Sequence, residues 1–260
     1  MNMKYVRYNK TNRISEIVLD RPDKRNALNE QVVSELKNAF QLAKDDDECK
    51  IVLLKSSSDV FCAGADLQYL QTLQTNTRDE NIADSRHLME LFQAIYEFPK
   101  IVISVVKGAA IAGGCGLATV TDYCFATETS KFGYTESRIG FVPAIVMVFL
   151  LRKIGEGRAR EILLSGEVFD ANKALKVGLI NRVLHENEID DFVDHFSLNI
   201  IDKVSGKSIE LIKTMIADIP EMSLSGALDY AANMNAEMRE SEDCKKGISS
   251  FLNKEKISWS

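Results

Sequence analysis

Little in this chain points to a metal, a disulfide framework or a membrane span. Histidine occurs only three times in 260 residues. His87, His185 and His195 stand in no HExxH or other metal-ligand spacing. They read as helix-surface or loop positions, and no metal site is expected. The five cysteines (Cys49, Cys62, Cys115, Cys124 and Cys244) are odd in number and include no CxxC pair. That pattern excludes a disulfide framework or zinc spacing and predicts free thiols in a reducing compartment. With 4 prolines and 14 glycines the chain is neither collagen-like nor of disordered composition. No run reaches the roughly 18 apolar residues of a membrane span. The longest, near 141–151, contains Pro143 and ends on Arg152-Lys153. The first residues, Met-Asn-Met-Lys-Tyr-Val-Arg-Tyr, lack a signal-peptide core. A cytoplasmic protein with no membrane partner is expected. Positive charge is not in excess either: Lys+Arg 32 against Asp+Glu 38 leaves −6. Such a balance argues against nucleic acid as a partner.

What is present is the patterning of an α/β chain. Apolar residues make up 45% and charged residues 27%, enough for a sizeable core. Residues 4–8 and 13–19 pattern as strands around Asn9-Lys10-Thr11-Asn12, which predicts a β-hairpin. Asn29 is placed to cap a helix over 30–44, with Val32, Val33, Leu36, Phe40 and Ala43 on one face. Residues 51–54 and 101–106 are short continuous apolar runs, which predict buried strands. Residues 123–126 predict a third. Between these lie a short helix from Asp66, a polar segment over 74–80 that predicts a mobile loop, a helix over 81–97 stopped by Pro99, and helix over 117–120. After residue 144 the strand signal nearly vanishes, and 145–165, 171–177, 189–217 and 223–239 read as helical. Strands alternating with helices predict a parallel sheet under helices. The expected division is an α/β core over 1–190 and a helical C-terminal region over 191–260, suited to oligomerisation.

Two strand-to-helix junctions are built of small residues: Cys62-Ala63-Gly64-Ala65-Asp66 and Ala109-Ala110-Ile111-Ala112-Gly113-Gly114. Small residues let a ligand approach the backbone. Helix N-termini offer unpaired N–H groups and partial positive charge. Two such junctions on neighbouring parallel strands would aim two N–H donors at one oxygen, as in an oxyanion hole. Each donor there is worth about 2.7–4 kcal/mol in the transition state. Tight turns and close helix–sheet packing are the other use of the same glycines. Neither junction is a phosphate loop, and neither fits GxGxxG with a following acid, so a nucleotide-dependent hydride enzyme is disfavoured. Glu136, within Phe132-Gly133-Tyr134-Thr135-Glu136-Ser137-Arg138-Ile139-Gly140, follows the third inner strand. Beside an apolar pocket it would move protons near neutral pH. On the surface it would pair with Arg138 instead.

Taken together, these segments resemble the enoyl-CoA hydratase/isomerase (crotonase) family. The resemblance rests on Arg21-Pro22-Asp23-Lys24-Arg25-Asn26-Ala27-Leu28, on Phe61-Cys62-Ala63-Gly64-Ala65-Asp66-Leu67, on the stretch from Pro99-Lys100-Ile101-Val102 to Gly113-Gly114-Cys115, and on Phe132-Gly133 with Glu136, Gly140 and Pro143. It continues through ANKALKVGLINRV at 171–183 and the tail at 251–256, so it runs in order from about residue 5 to 258. The resemblance implies a crotonase-like spiral of ββα units assembled as a homo-trimer or a hexamer of two trimers. It implies an acyl-CoA thioester as substrate and no separate cofactor. The Ala65 and Gly113 N–H groups would polarise the thioester carbonyl, with Glu136 as acid/base. Backbone around Arg25, Ala27 and Ala63 would hold the CoA, the Ala63 carbonyl near the adenine, and Asp66, Leu67 and Gln68 would continue that wall. Tyr134, Ile145 and Met147 are implied for the acyl pocket.

The sequence departs from the two-carboxylate hydratases of that family, which carry Gly-Gly-Gly-Cys-Glu. Here the run is Ala112-Gly113-Gly114-Cys115-Gly116, and Gly116 replaces the first glutamate. One carboxylate suffices for the 1,3 proton shift of a 3-enoyl to 2-enoyl isomerase. Residues 136–144, in contrast, look like a branched-acyl hydratase subgroup acting on methylglutaconyl-CoA or similar esters, and a missing side chain at 116 would make room for such a branch. The first expectation is a hydratase of 2-enoyl-CoA, with the single-glutamate isomerase second. Decarboxylation, dehydration of carrier-bound acyl groups and a non-enzymatic scaffold on the same fold are the remaining readings.

Overall fold

The computed structural model describes residues 3–259. The chain opens as an antiparallel hairpin of β1 (Val6–Thr11) and β2 (Ile14–Leu19). Its turn falls on Asn12 and Arg13, both at positive φ, so Asn9, Lys10 and Thr11 belong to the strand rather than to the turn. α1 (Glu30–Asp45) begins on Asn29, whose side-chain oxygen accepts from the Val32 N–H at 3.0 Å.

From there one unit recurs: a long strand, a short strand, a helix. The first pass is β3 (Ile51–Ser56), β4 (Val60–Cys62) and α2 (Leu67–Leu73), with α3 (Arg78–Tyr96) added after it. The second is β5 (Ile101–Val106), β6 (Ala109–Ile111) and α4 (Gly113–Thr119). The third is β7 (Tyr123–Thr127) and β8 (Lys131–Gly133), then a 3-10 turn over Glu136–Ile139 and α5 (Ala144–Ser165). Next come β9 (Phe169–Asp170), α6 (Ala171–Lys176) and β10 (Arg182–Leu184). The long strands, with β10 at the edge, build a six-stranded sheet ordered β1-β2-β3-β5-β7-β10, and the other short ones a second sheet ordered β4-β6-β8-β9. β2, β3, β5, β7 and β10 run parallel, as the alternation of strands and helices predicts. The strands β4, β6, β8, β9 and β10 span two or three residues each, too short for any periodicity to reveal.

Why the inner strands β3, β5 and β7 are mostly apolar is visible in their two faces. Val52, Leu54, Val102 and Val106 join one core with α1, α3 and α4. Ile51, Leu53, Ile101, Ile103 and Phe125 join a second core. That second core is closed by Ile189, Val193, Ile200 and Ile201 of α7 (Ile189–Lys203) and Ile209 of α8 (Gly206–Asp218). A parallel sheet covered on both sides needs such uninterrupted runs. α7 therefore packs directly on the sheet.

Three helical boundaries differ from expectation. Residues 78–80 open α3 instead of lying in a loop. Thr77 and Glu80 form a reciprocal capping box that satisfies the first N–H groups. The 189–217 segment is two helices, broken at Val204 and restarted on Ser205, whose hydroxyl accepts from the Ser208 N–H at 3.0 Å. Within α5, Gly155 takes φ 74° and kinks the helix. Beyond α8, α9 (Leu224–Glu240) and α10 (Glu242–Leu252) bury no residue completely. No helix among the described residues is long and apolar enough to cross a membrane.

Candidate active site

The 21–28 turn and the 63–66 junction lie side by side. The Ala63 N–H donates to the Arg25 carbonyl at 3.0 Å, the Leu28 N–H to the Gly64 carbonyl at 2.7 Å, and the Asp66 N–H to the Leu28 carbonyl at 2.8 Å. Leu28 and Ala65 thereby form a parallel bridge. The turn reaches this register because Arg25 and Asn26 both take positive φ. The buried Asn26 side chain holds it there, donating to Ser56 Oγ at 2.8 Å and to the Val60 carbonyl at 2.9 Å. Lys24 Nζ reaches across to Gln68 Oε1 at 2.7 Å. Arg25, Ala27, Ala63, Ala65, Asp66, Leu67 and Gln68 thus share one neighbourhood. Leu67 is 63% exposed there, whereas the Asp66 carboxylate is buried and engaged with Arg21 at 2.8 Å.

The second junction meets the first at Gly64. That residue sits at φ +89°, and a Cβ there would fall 2.9 Å from the Ala112 Cβ and 3.5 Å from the Gly113 nitrogen. Only glycine allows this approach. Ala112, the residue before α4, is itself at φ 52°, ψ −128°, a strained conformation for a residue with a Cβ. Its N–H is tied to the Gly133 carbonyl at 2.7 Å. The strain turns Gly113 so that its N–H heads the helix with no intrahelical partner. Among the described residues, neither the Ala65 nor the Gly113 N–H donates to a backbone carbonyl in the turns and caps around them. Gly64 thus brings the 63–66 junction against Ala112 and Gly113, and neither expected donor has a backbone acceptor there among the described residues.

Glu136 lies beyond the end of β8, the strand paired with β6. It starts the 3-10 turn three residues beyond Gly133, the strand residue paired with Ile111. It is 8% exposed, and its Oε2 is buried without a partner. Burial pushes its carboxyl above the ordinary glutamate value of 4.5, and only its own backbone N–H works the other way. Arg138 forms no ion pair with it among the described residues, so the surface-pair alternative falls. Two buried thiols close in sequence to the junctions are shifted upward as well. Burial pushes Cys62 up to about 12 and Cys115 higher still, so neither is a ready nucleophile.

Two expected residues lie below the site. Tyr134 is 1% exposed, and its hydroxyl is hydrogen-bonded to Thr119 Oγ1 at 3.0 Å, so it supports the floor and offers no pocket surface. Gly116 is buried in α4. A Cβ there would lie 2.6 Å from the Val146 Cβ, nearer still to its Cγ1, and 3.2 Å from Phe92 Cε1. The absent side chain therefore opens no room: Val146 of α5 occupies it. Ile145 is half-buried and Met147 exposed on that helix. Sequence reasoning missed Val146 and Phe92, since ordinary core apolar residues carry no local signal. It also missed Arg21, whose partner lies 45 positions away.

The sequence model of the enoyl-CoA hydratase/isomerase family matches residues 9–260. A crotonyl-CoA hydratase of Syntrophomonas wolfei is 29% identical, over 96% of this chain and 95% of its own. A trans-2-decenoyl-[acyl-carrier-protein] isomerase of Streptococcus mutans is 26% identical, over 98% and 97%. Among solved structures, an enoyl-CoA hydratase of Shewanella pealeana superposes with a TM-score of 0.93 at 29% identity, covering 99% of this chain and 96% of that one.

Proposed function

The chain belongs to the enoyl-CoA hydratase/isomerase family, and from that premise we propose that it adds water across the double bond of a 2-enoyl-CoA thioester. The observation that carries this reading is the buried Glu136 carboxylate, its Oε2 unpartnered, beyond the end of the strand paired with the one that leads to Gly113. In this reading the thioester oxygen accepts from the Ala65 and Gly113 N–H groups. The Glu136 carboxylate takes a proton from water as the water oxygen bonds to the β-carbon. The displaced electron pair moves to the thioester oxygen, where the two donors stabilise the enolate. The carboxyl then returns its proton to the α-carbon, so one glutamate serves as base and then acid. CoA would lie along the backbone of Arg25, Ala27 and Ala63 and over Leu67 and Gln68. We take the working form to be a cytoplasmic homo-trimer or hexamer.

A second reading has its own support. Val146 and Phe92 fill the place a side chain at 116 would take, so no second carboxylate can stand there. An isomerase needs only one, which removes a proton at C2 of a 3-enoyl ester and returns it at C4. A branched acyl group keeps its motif support in residues 136–144 but loses the steric argument from Gly116. Straight, methyl-branched and carboxylated enoyl-CoAs, followed by mass, separate the readings. Gain of one water that disappears in Glu136→Gln is the expected result. Double-bond migration without mass change would establish the isomerase, and no turnover of any CoA ester would defeat both.

A further inference from the structure

Asp66 is held in three directions by one carboxylate. Its Oδ2 pairs with Arg21 Nη2 at 2.8 Å, each side chain being 9% exposed. Its Oδ1 accepts from the Gln68 N–H at 3.0 Å and the Tyr69 N–H at 3.4 Å, capping α2. Burial alone would raise this carboxyl, but the guanidinium and the two N–H groups outweigh it and hold it below the usual carboxylate value. Arg21 is fixed as firmly. Its Nη1 donates to the Ala27 carbonyl at 3.0 Å, and its guanidinium lies 5.1 Å from the centre of the Tyr5 ring. Its Nε is buried with no partner. A pair so deeply desolvated, with one N–H left unmet, contributes little net stability, because removing two charges from water offsets most of their attraction.

What the pair does is geometric. It ties the start of the 21–28 turn to the residue that follows Ala65. Ala65 is flanked by two ladder hydrogen bonds, Leu28 N–H to the Gly64 carbonyl and Asp66 N–H to the Leu28 carbonyl. In a parallel bridge the central residue's own N–H points to the side away from Leu28. We propose that the Arg21–Asp66 ion pair is a positioning device for the Ala65 N–H, setting how strongly a bound thioester is polarised rather than how tightly it is bound. The proposal rests on the functional reading above.

Acetoacetyl-CoA separates the two effects, because its enolate absorbs in the near ultraviolet and its binding is measured independently by calorimetry. Asp66→Asn keeps a capping side chain for α2 and removes the charge. It is expected to bind acetoacetyl-CoA within about threefold of wild type, while the bound enolate fraction and kcat fall about tenfold or more and KM changes little, as for a donor used mainly in the transition state. Arg21→Met and Asp66→Asn should each lower the Tm, since each strands one buried charge. The double variant, with neither charge, should regain most of the Tm without regaining the enolate fraction. If Asp66→Asn keeps the wild-type enolate fraction, or the double variant regains enolate and Tm together, the pair is structural only and the proposal fails. If the wild type binds no acetoacetyl-CoA, the reading of the site fails first and the proposal falls with it.

Discussion

At the scale of single residues, two residues of the candidate site carry a cost to folding. Glu136 is buried with its carboxyl raised above 4.5. A carboxyl held above its unfolded value binds its proton more tightly in the folded state. The fold is then most stable below the unfolded value and loses stability as pH rises through the folded one. Glu136→Gln is therefore expected to raise the Tm at neutral pH while lowering kcat by about 10²- to 10⁴-fold. A calorimetric scan beside a kinetic assay checks both signs. The kcat/KM of the wild type should climb with pH through that raised value and then level off, as the carboxylate form becomes available. Ala112, at φ 52°, holds the second cost. Ala112→Gly should stabilise the protein by about 1 kcal/mol, the relief of strain exceeding the added chain entropy. A urea midpoint that moves down instead would show that the methyl group contributes packing that outweighs its strain.

At the scale of elements, α4 is a helix squeezed from two sides. A Cβ at Gly114 would lie 2.8 Å from the Cys62 Cβ of β4, and one at Gly116 would strike Val146 of α5. Gly116→Ala should cost about 1–3 kcal/mol as an overpacked core position. Val146→Ala in the same chain should return part of that loss, a coupling read from a double-mutant cycle in denaturant. Additive losses would mean that the two helices do not share the space. This packing was beyond sequence reading. The helix over 30–44 was legible because its cap and apolar face are local, and the inner strands because their runs are unbroken. Positions 92, 116 and 146 meet only when three elements assemble, and nothing in the spacing of the three announces it.

At the scale of the whole molecule, the C-terminal helices leave their apolar residues uncovered. Leu224 and Leu228 of α9 are 78% and 63% exposed, and Phe251 and Leu252 of α10 are 84% and 73% exposed. Clusters of this kind mark association surfaces. Light scattering should give a mass of three or six times 29.1 kDa. Phe251→Asp with Leu252→Asp should reduce that mass with the far-ultraviolet dichroism kept, since neither side chain contributes to the two cores. A wild-type particle of monomer mass would remove the basis for the assembly.

The sequence by itself determined the parallel α/β architecture, the two small-residue junctions and the solitary glutamate. Strand runs, helix caps and glycine clusters are written in neighbouring residues, and local chemistry is enough to read them. The tertiary structure decided the rest. It brought Gly64 against Ala112 and Gly113, and it buried Glu136 with no ion pair to Arg138 among the described residues. It also closed the place beside Gly116 with Val146 and Phe92, and joined Arg21 to Asp66 across 45 positions. Each of these depends on atoms distant in the chain meeting at a few ångströms, and no pattern along one strand or helix encodes that distance.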